Sequence, residues 1–148
     1  MSVAQQLERA LKAIQTGNAQ EARSGLETFL ADGQGDATLY ITLAVACRNL
    51  GDPVAMERAL DAALGLEPTN INGLIMKGDL LAARMDMPAA AGYYNFVIKL
   101  AAQSGSNDPE LLRLAEYARQ CLGRNNAVLS GHLVQHLQQH GYDPATSP

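Results

Sequence analysis

The sequence predicts an all-α protein, an α-solenoid of three helix–turn–helix repeats followed by a long C-terminal capping helix. Three observations predict this class. Related segments recur along the chain every 34 residues, a length typical of a helical hairpin repeat. Alanine and leucine, which both favour helix, dominate a composition that is 47% hydrophobic. Glycine, proline, aspartate and asparagine interrupt the apolar pattern where helices would begin and end.

The repeat becomes visible when three segments are aligned: TGNAQEARSGLETFL (16–30), LGDPVAMERALDAAL (50–64) and RMDMPAAAGYYNFVI (84–98). At five positions a residue of similar role returns 34 and again 68 residues later. The equivalent sets are Ala10, Ala44 and Gly78; Asn18, Asp52 and Asp86; Ala22, Met56 and Ala90; Leu26, Leu60 and Tyr94; and Phe29, Ala63 and Val97. Such a constant interval predicts three copies of one hairpin, stacked in series.

Seven helices follow from the apolar periodicity and its interruptions. They are predicted at 3–16, 19–31, 37–49, 53–66, 71–84, 87–103 and 109–139. Ser2 and Gln5 form a capping box for the first helix. The stretch QSGSNDP (103–109) is the clearest linker, and its Asp-Pro ending, followed by Glu110, is a strong helix start.

The turn inside the second repeat shows how each hairpin is closed. Gly51 suits a left-handed position after the third helix, Asp52 can cap the next helix, and Pro53 fits its first turn. Pro68 cannot continue a helix and therefore ends the fourth one. Asn70 can then cap the fifth helix.

The last helix carries its own apolar stripe and is expected to cover the apolar face of the sixth helix. The stripe is Leu111, Ala115, Ala118, Leu122, Leu129, Leu133 and Leu137. Because GRNN (123–126) interrupts it, the sequence leaves open one bent helix or two. The predicted organisation is repeats at 3–36, 37–70 and 71–102, a linker at 103–109, a capping helix at 110–140 and an exit segment at 141–148.

The residues of the second repeat resemble the tetratricopeptide repeat family. The family pattern of large, small and closing residues falls on Tyr40, Leu43, Ala44, Met56, Leu60, Ala63 and Pro68. The third repeat departs from it, since Lys77 takes the leucine position and Ala102 replaces the closing proline. The resemblance implies a curved array whose concave face, lined by the first helix of each repeat, binds a partner.

The resemblance also places the ligand-contacting positions. The residues expected to contact a partner are Leu7, Leu11, Ile41, Val45, Arg48, Asn49, Ile75 and Asp79. Chaperone-binding members of the family hold a terminal carboxylate with lysine where this chain has Leu7, Ile41 and Ile75. That clamp is therefore not expected, and an apolar or amphipathic peptide suits the groove better. Two alternatives remain open: the groove is filled by the terminal helix or a second copy, or it is simply solvated.

A longer stretch, LGLEPTNINGLIMKGDLLAARMDMPAAAGYYNFVIKLAA (64–102), is similar to the N-terminal segment of bacterial aspartyl/asparaginyl β-hydroxylase-like proteins. In those proteins tetratricopeptide helices precede an iron- and 2-oxoglutarate-dependent oxygenase domain, which this chain lacks. The resemblance implies a non-catalytic recruitment or regulatory module of such an enzyme. A third alternative is a homodimerisation module that uses the groove or the last helix.

Composition argues against several other classes. The net charge is −4, from 11 basic and 15 acidic residues, which disfavours nucleic acid as a partner. No signal peptide or membrane-spanning segment is recognisable, so a cytoplasmic protein without membrane contact is expected. Cys47 and Cys121 have neither zinc nor CxxC spacing, and are interpreted as buried free thiols rather than a disulfide or a reactive thiol.

Catalytic motifs are not found, so the chain is predicted not to be an enzyme and to need no cofactor. There is no phosphate-binding loop and no GxSxG motif. Carboxylates such as Glu21, Glu57 and Asp61 are interpreted as a solvated helix face. His132, His136 and His140 share one helix face at a spacing that can bind a metal, but a polar or partner-facing stripe is the preferred interpretation.

Overall fold

The computed structural model consists of seven α-helices, and it describes the backbone of residues 1–139 and the side chains of residues 1–125. The helices are α1 (Val3–Gln15), α2 (Ala19–Leu30), α3 (Ala37–Asn49), α4 (Pro53–Leu66), α5 (Ile71–Ala83), α6 (Met87–Ser104) and α7 (Pro109–Gln139). Each predicted helix is present, and no predicted end differs from the observed one by more than a single residue. The all-α prediction is confirmed over the described residues.

The chain divides into two compact units, Met1–Leu80 and Leu81–Pro148. The boundary falls inside α5, so it does not coincide with the limits of a predicted repeat. The first unit contains α1 to α4 and most of α5, and the second contains α6 and α7. The division into three repeats and a capping helix stays a prediction, and its exit segment, 141–148, lies outside the described residues.

The three turns that close the hairpins are copies of one another. In each turn two successive backbone N–H groups donate to carbonyl groups of the preceding helix. The first turn has the bonds Gly17 to Ile14 and Asn18 to Ala13. The second has Gly51 to Arg48 and Asp52 to Cys47, and the third has Met85 to Ala82 and Asp86 to Leu81. The first donor has a left-handed φ each time, 80° at Gly17, 72° at Gly51 and 63° at Met85. Glycine adopts this conformation without strain, whereas methionine does not.

Polar side chains cap the helices where the sequence predicts them. Asn18, Asp52 and Asp86 each accept a hydrogen bond from the backbone N–H three residues on. Ser2 and Gln5 form the expected reciprocal capping box. Asn70 accepts from the N–H of Gly73 at 3.0 Å. Each cap satisfies a backbone donor that the helix itself leaves unpaired.

The core of the first unit is built from large and small apolar side chains on successive helices. Leu26, Leu39 and Leu60 are fully buried, as are Ala44 and Ala63. α1 contacts α2 and α3, and α3 contacts α2 and α4, so each helix packs on the next in the chain. The small residues Ala44 and Ala63 are therefore buried on helices that pack together.

Lys77 is an exception to the apolar core and corrects part of the sequence interpretation. It is only 8% exposed, and its Nζ lies 2.5 Å from Asp61 Oδ1 and 3.8 Å from Glu57 Oε2. Glu57 and Asp61 are thus not merely a solvated face of α4, because both face a buried cation on α5. The charged group stands where the repeat pattern has leucine, and two carboxylates compensate it.

In the second unit α7 packs along α6, as expected for a covering helix. α7 is continuous through residues 123–126, so the sequence's alternative of two helices is wrong. Ala115, Ala118 and Cys121 are buried, and they are followed by Asn125, which is 5% exposed. The Asn125 Nδ2 donates to the carbonyl of Met87 at 3.4 Å, which ties α7 to the first turn of α6. The predicted stripe residues from Leu129 onward have no described side chains.

Candidate peptide-binding surface

The eight residues predicted to bind a partner lie on α1, α3 and α5, within the first compact unit. We call this set the A-helix surface; it comprises Leu7, Leu11, Ile41, Val45, Arg48, Asn49, Ile75 and Asp79. The three helices that carry it are the first helices of the predicted repeats. The eight side chains differ in their exposure to solvent, and this difference decides what each residue can contribute to binding.

On α1, the A-helix surface consists of two leucines one turn apart. Leu7 is half-buried and packs against the core, whereas Leu11 is 43% exposed. The adjacent side of the same helix is buried through Gln6, Ala10 and Ala13. Leu11 therefore stays exposed beside the buried side of an amphipathic helix. Leu11 is the most accessible apolar side chain of the set.

On α3, Ile41 and Val45 stand one turn apart and are half-buried against the core. Arg48 and Asn49 follow in the last turn and are exposed. Because α3 contacts α1 directly, the two aliphatic pairs lie on adjacent helices. The last turn of α3 thus adds a guanidinium and an amide, which can pair with a carboxylate or carbonyl of a ligand.

The two predicted residues on α5 are less exposed to solvent than Leu11, Arg48 and Asn49 on the other two helices. Ile75 is 6% exposed and Asp79 is half-buried. A close approach brings α5 near α3, since a Cβ on Gly73 would lie 3.6 Å from Ile41 Cδ1 and 3.1 Å from Leu64 Cδ2. Glycine at this position therefore relieves a tight approach to Leu64 on α4, whereas the contact with Ile41 would be an ordinary one. Ile75 has little surface left for a ligand, and its role as a contact stays a prediction.

An ion pair between Arg23 and Asp52 links the first two hairpins. Arg23 on α2 donates from Nη1 to Asp52 Oδ2 at 3.0 Å and from Nε to Glu27 Oε1 at 2.8 Å. The backbone N–H of Ala55 and the Arg23 guanidinium hold the pKa of Asp52 below its usual value. This pair joins α2 to the turn that starts α4, so one aspartate serves both as helix cap and as ion-pair partner.

Both cysteines are buried free thiols, as the sequence predicts. Cys47 is fully buried on α3, and burial raises the pKa of its thiol. A raised pKa leaves less of the nucleophilic thiolate. Cys121 is 6% exposed on α7, and its Sγ accepts a hydrogen bond from Arg124 Nη2 at 3.1 Å.

The sequence interpretation missed a depression between α1 and α2, with a volume of about 490 Å³. Its lining includes Gln6, Arg9, Ser24 and Phe29. Gln6 is 5% exposed, and a Cβ on Gly25 would lie 3.2 Å from its Nε2. In the sequence, this depression is indicated only by a glutamine, Gln6, on the apolar side of helix α1. The mixed lining distinguishes this depression from the aliphatic A-helix surface.

A metal site and a membrane span are not found in the described part of the chain. Among the side chains of residues 1–125, no three histidine, cysteine or acidic groups are gathered in a way that could hold an ion. The side chains of His132 and His136, and all of His140, lie outside the described residues, so their metal-binding interpretation is untested. None of the described helices is both long and apolar enough to cross a bilayer.

Comparison with known proteins gives structural neighbours only. No protein-family model matches the chain, and no curated protein matches it. The type III secretion translocator chaperone SycD of Yersinia enterocolitica has a similar structure, with a TM-score of 0.77 and 12% identity over 86% of each chain. The first TPR domain of human RPAP3 has a TM-score of 0.63 and 18% identity, over 82% of this chain and 93% of that one. These similarities confirm an all-α fold of the tetratricopeptide type, and neither supports the resemblance to aspartyl/asparaginyl hydroxylases.

Proposed function

We propose that this chain, whose fold is of the tetratricopeptide type, is a protein-interaction module that binds an apolar peptide segment on its A-helix surface. The observation that supports the proposal is that Leu11 is exposed and that Leu7, Ile41 and Val45 are only half-buried, on two helices that contact each other. Exposed apolar side chains grouped on a surface are typical of interaction sites.

The chemistry of the surface favours one kind of ligand. Aliphatic pairs one turn apart on α1 and α3 fit the apolar side chains of an amphipathic helix or an extended peptide. Arg48 and Asn49 at the end of α3 favour a ligand with an acidic or carbonyl group beyond its apolar part. The lysines that would hold a terminal carboxylate are replaced by Leu7, Ile41 and Ile75, so we expect an internal segment rather than a free C-terminus.

The structural neighbours are compatible with this role. One is described as a translocator chaperone and the other as a TPR domain. At 12% and 18% identity they support a shared fold and not a shared partner. The ligand class proposed here therefore rests on the side chains of this chain, and the neighbours support only the broader role of a binding scaffold.

The test compares three charge-introducing variants of similar design. Leu11→Glu and Ile41→Glu place a carboxylate on the A-helix surface, whereas Val54→Glu does so at a 56% exposed position of α4, a helix that carries none of the eight residues. Partners captured from a cell lysate are identified by mass spectrometry, and the binding of a synthetic peptide from the captured protein is then titrated.

We expect the two A-helix variants to weaken peptide binding by about tenfold or more, because a charge is forced into an apolar contact. Val54→Glu should bind as the wild type does. The proposal is wrong if all three variants bind the peptide equally. Circular dichroism of each variant shows that loss of binding does not result from unfolding.

The narrower alternatives are separate proposals. A recruitment module of a 2-oxoglutarate oxygenase rests on the sequence resemblance of residues 64–102 alone, and it requires a catalytic domain encoded in the same reading frame. Turnover of 2-oxoglutarate by the isolated chain would contradict the non-catalytic role proposed here. A cytoplasmic location is supported by the two buried free thiols, which suit a reducing compartment.

A further inference from the structure

The depression between α1 and α2 contains a buried polar group without a protein partner. Gln6 is 5% exposed, and its carboxamide forms no hydrogen bond with any residue that the structure describes. Among the described side chains, every polar atom that is closed off from solvent has a partner, so the Gln6 carboxamide opens into the depression that it lines. A buried polar group lowers stability unless a ligand or a water molecule pairs with it.

Gly25 on α2 provides the space for this carboxamide. A Cβ at Gly25 would lie 3.2 Å from Gln6 Nε2, which is closer than an ordinary contact. Inside a helix glycine is less favourable than alanine, so the space is gained at the expense of helix stability. At the positions 34 residues later the chain has Tyr40 and Ala59, an aromatic ring and a methyl group. The first hairpin therefore has an amide and an open space where the second has apolar packing.

The two ends of the depression differ in charge. Arg9 and Glu21 line one end, since both also line a neighbouring depression that Phe29 and Asp32 do not reach. Their opposite charges compensate each other. Phe29, which is half-buried, and Asp32, which is exposed, lie at the other end, and Asp32 forms no ion pair with a described residue. A carboxylate beside an aromatic ring favours a cationic group at this end.

We infer that this depression binds an extended peptide segment that carries an arginine or lysine side chain. In an extended chain the N–H and C=O of one residue face the same side, so they match the acceptor and the donors of the Gln6 carboxamide. The basic side chain of the segment then contacts Phe29 and pairs with Asp32. The volume of about 490 Å³ is within the range of ligand sites.

Neither solvation nor the A-helix surface accounts for these features. Exposure to water is sufficient to explain Arg9 and Glu21, but it requires neither a buried carboxamide nor a glycine within α2. None of the eight residues of the A-helix surface lines the depression, so the inference does not depend on the proposed function.

Titration followed by nuclear magnetic resonance tests the site on the full, isotope-labelled chain. The probe is a glycine–arginine–glycine tripeptide with both ends blocked, and the control peptide has glutamate in place of arginine. We expect the probe to bind with a dissociation constant of about 0.1–10 mM, because an exposed ion pair and two hydrogen bonds contribute modestly in an open site. The largest shift changes should lie at the backbone N–H groups of the lining.

Three results of this titration would contradict the inference. The first is the absence of saturable shift changes in the lining up to about 20 mM probe. The second is equal binding of the arginine and glutamate peptides. The third is a change in the same signals when the chain is diluted without peptide, which would show that a second copy occupies the depression.

Gln6→Leu separates binding from folding. It should weaken binding of the probe by about fivefold or more, because the peptide N–H and C=O lose their partners. Its melting temperature should be unchanged or higher, since leucine replaces an amide without a partner in the described chain. Gln120→Leu, at an exposed position of α7, is the matched control and should bind as the wild type does. Unchanged binding in Gln6→Leu would overturn the inference.

Asp32→Asn tests the cationic end at an exposed position, where no loss of folding is expected. It should weaken binding about twofold to fivefold at low salt, and binding should then depend less on salt concentration. Gly25→Ala should also weaken binding, because its Cβ would press on the Gln6 carboxamide. Asp32→Asn binding as tightly as the wild type at low salt would contradict the pairing of the basic side chain with Asp32.

Discussion

The Lys77 ammonium on α5 lies 2.5 Å from the Asp61 carboxylate on α4, although Lys77 occupies a core position of its repeat. The lysine side chain is 10% exposed, while that of Asp61 is 57% exposed. The pair therefore reaches from the core to the surface, with its cation inside and its anion at the rim. Glu57, at 3.8 Å, is a second partner of the same cation.

Two replacements of Lys77 separate what its charge contributes to the free energy of unfolding from what its volume contributes. Lys77→Ala removes both, so we expect a loss of about 1–3 kcal/mol in the free energy of unfolding. Lys77→Leu restores the residue type of the repeat pattern and should be neutral or stabilising, since well-packed apolar groups often replace a buried ion pair without loss. Urea denaturation measures both. A Lys77→Leu variant that loses as much stability relative to the wild type as Lys77→Ala does would show that the ion pair itself is needed.

At Met85, a substitution is expected to increase the stability of the chain. Its left-handed φ of 63° costs a non-glycine residue about 1–2 kcal/mol, and glycine avoids that cost. Met85→Gly should therefore stabilise the chain by about 1 kcal/mol, after the greater chain entropy of glycine is subtracted. Gly51→Ala, at a φ of 72° in the equivalent turn, should destabilise it by a similar amount. Thermal denaturation of both variants tests the equivalence of the two turns.

The turns were predictable from sequence because they are local. Each depends on a short run of residues, and the 34-residue interval repeats the signal three times. Gly51, Asp52 and Pro53 specify a helix end, a cap and a helix start without any distant contact. The same locality explains why every helix boundary was predicted to within one residue.

Contacts between helices were less accessible to sequence analysis. The pairing of Lys77 with Asp61 joins residues 16 positions apart on different helices, and no periodic pattern identifies it. Ile75 shares its repeat position with Ile41, yet Ile75 is buried and Ile41 is half-exposed. The repeat pattern assigns a face to each residue, but its exposure depends on the particular neighbours of that repeat.

The hydrogen bond from the Ala55 N–H to Asp52, together with the ion pair between Asp52 and Arg23, predicts a pH dependence of stability. Because the pKa of Asp52 is lowered in the folded chain, its stabilisation is present above the unfolded value of about 4 and is lost as pH falls through the lower folded value. Asp52→Asn can still accept from the N–H of Ala55 but cannot titrate. Its unfolding free energy should therefore depend less on pH between about pH 2 and 5 than that of the wild type. Equal slopes in urea titrations at several pH values would contradict this assignment.

Two glycines should respond to alanine in opposite directions. Gly123 lies within the continuous helix α7, and a Cβ there would meet no atom within 4 Å. Gly123→Ala should therefore raise stability by up to about 1 kcal/mol through helix propensity alone. A Cβ on Gly35 would clash with Leu30 Cδ2, so Gly35→Ala forces a core leucine to move and should cost about 1–3 kcal/mol.

The Gly123 variant also tests the continuity of α7. If the helix were broken at residues 123–126, alanine there would gain nothing from helix propensity. Amide hydrogen exchange in that segment should slow in Gly123→Ala in proportion to the gain in stability. Unchanged exchange, together with an unchanged melting temperature, would indicate that residues 123–126 are not helical in solution.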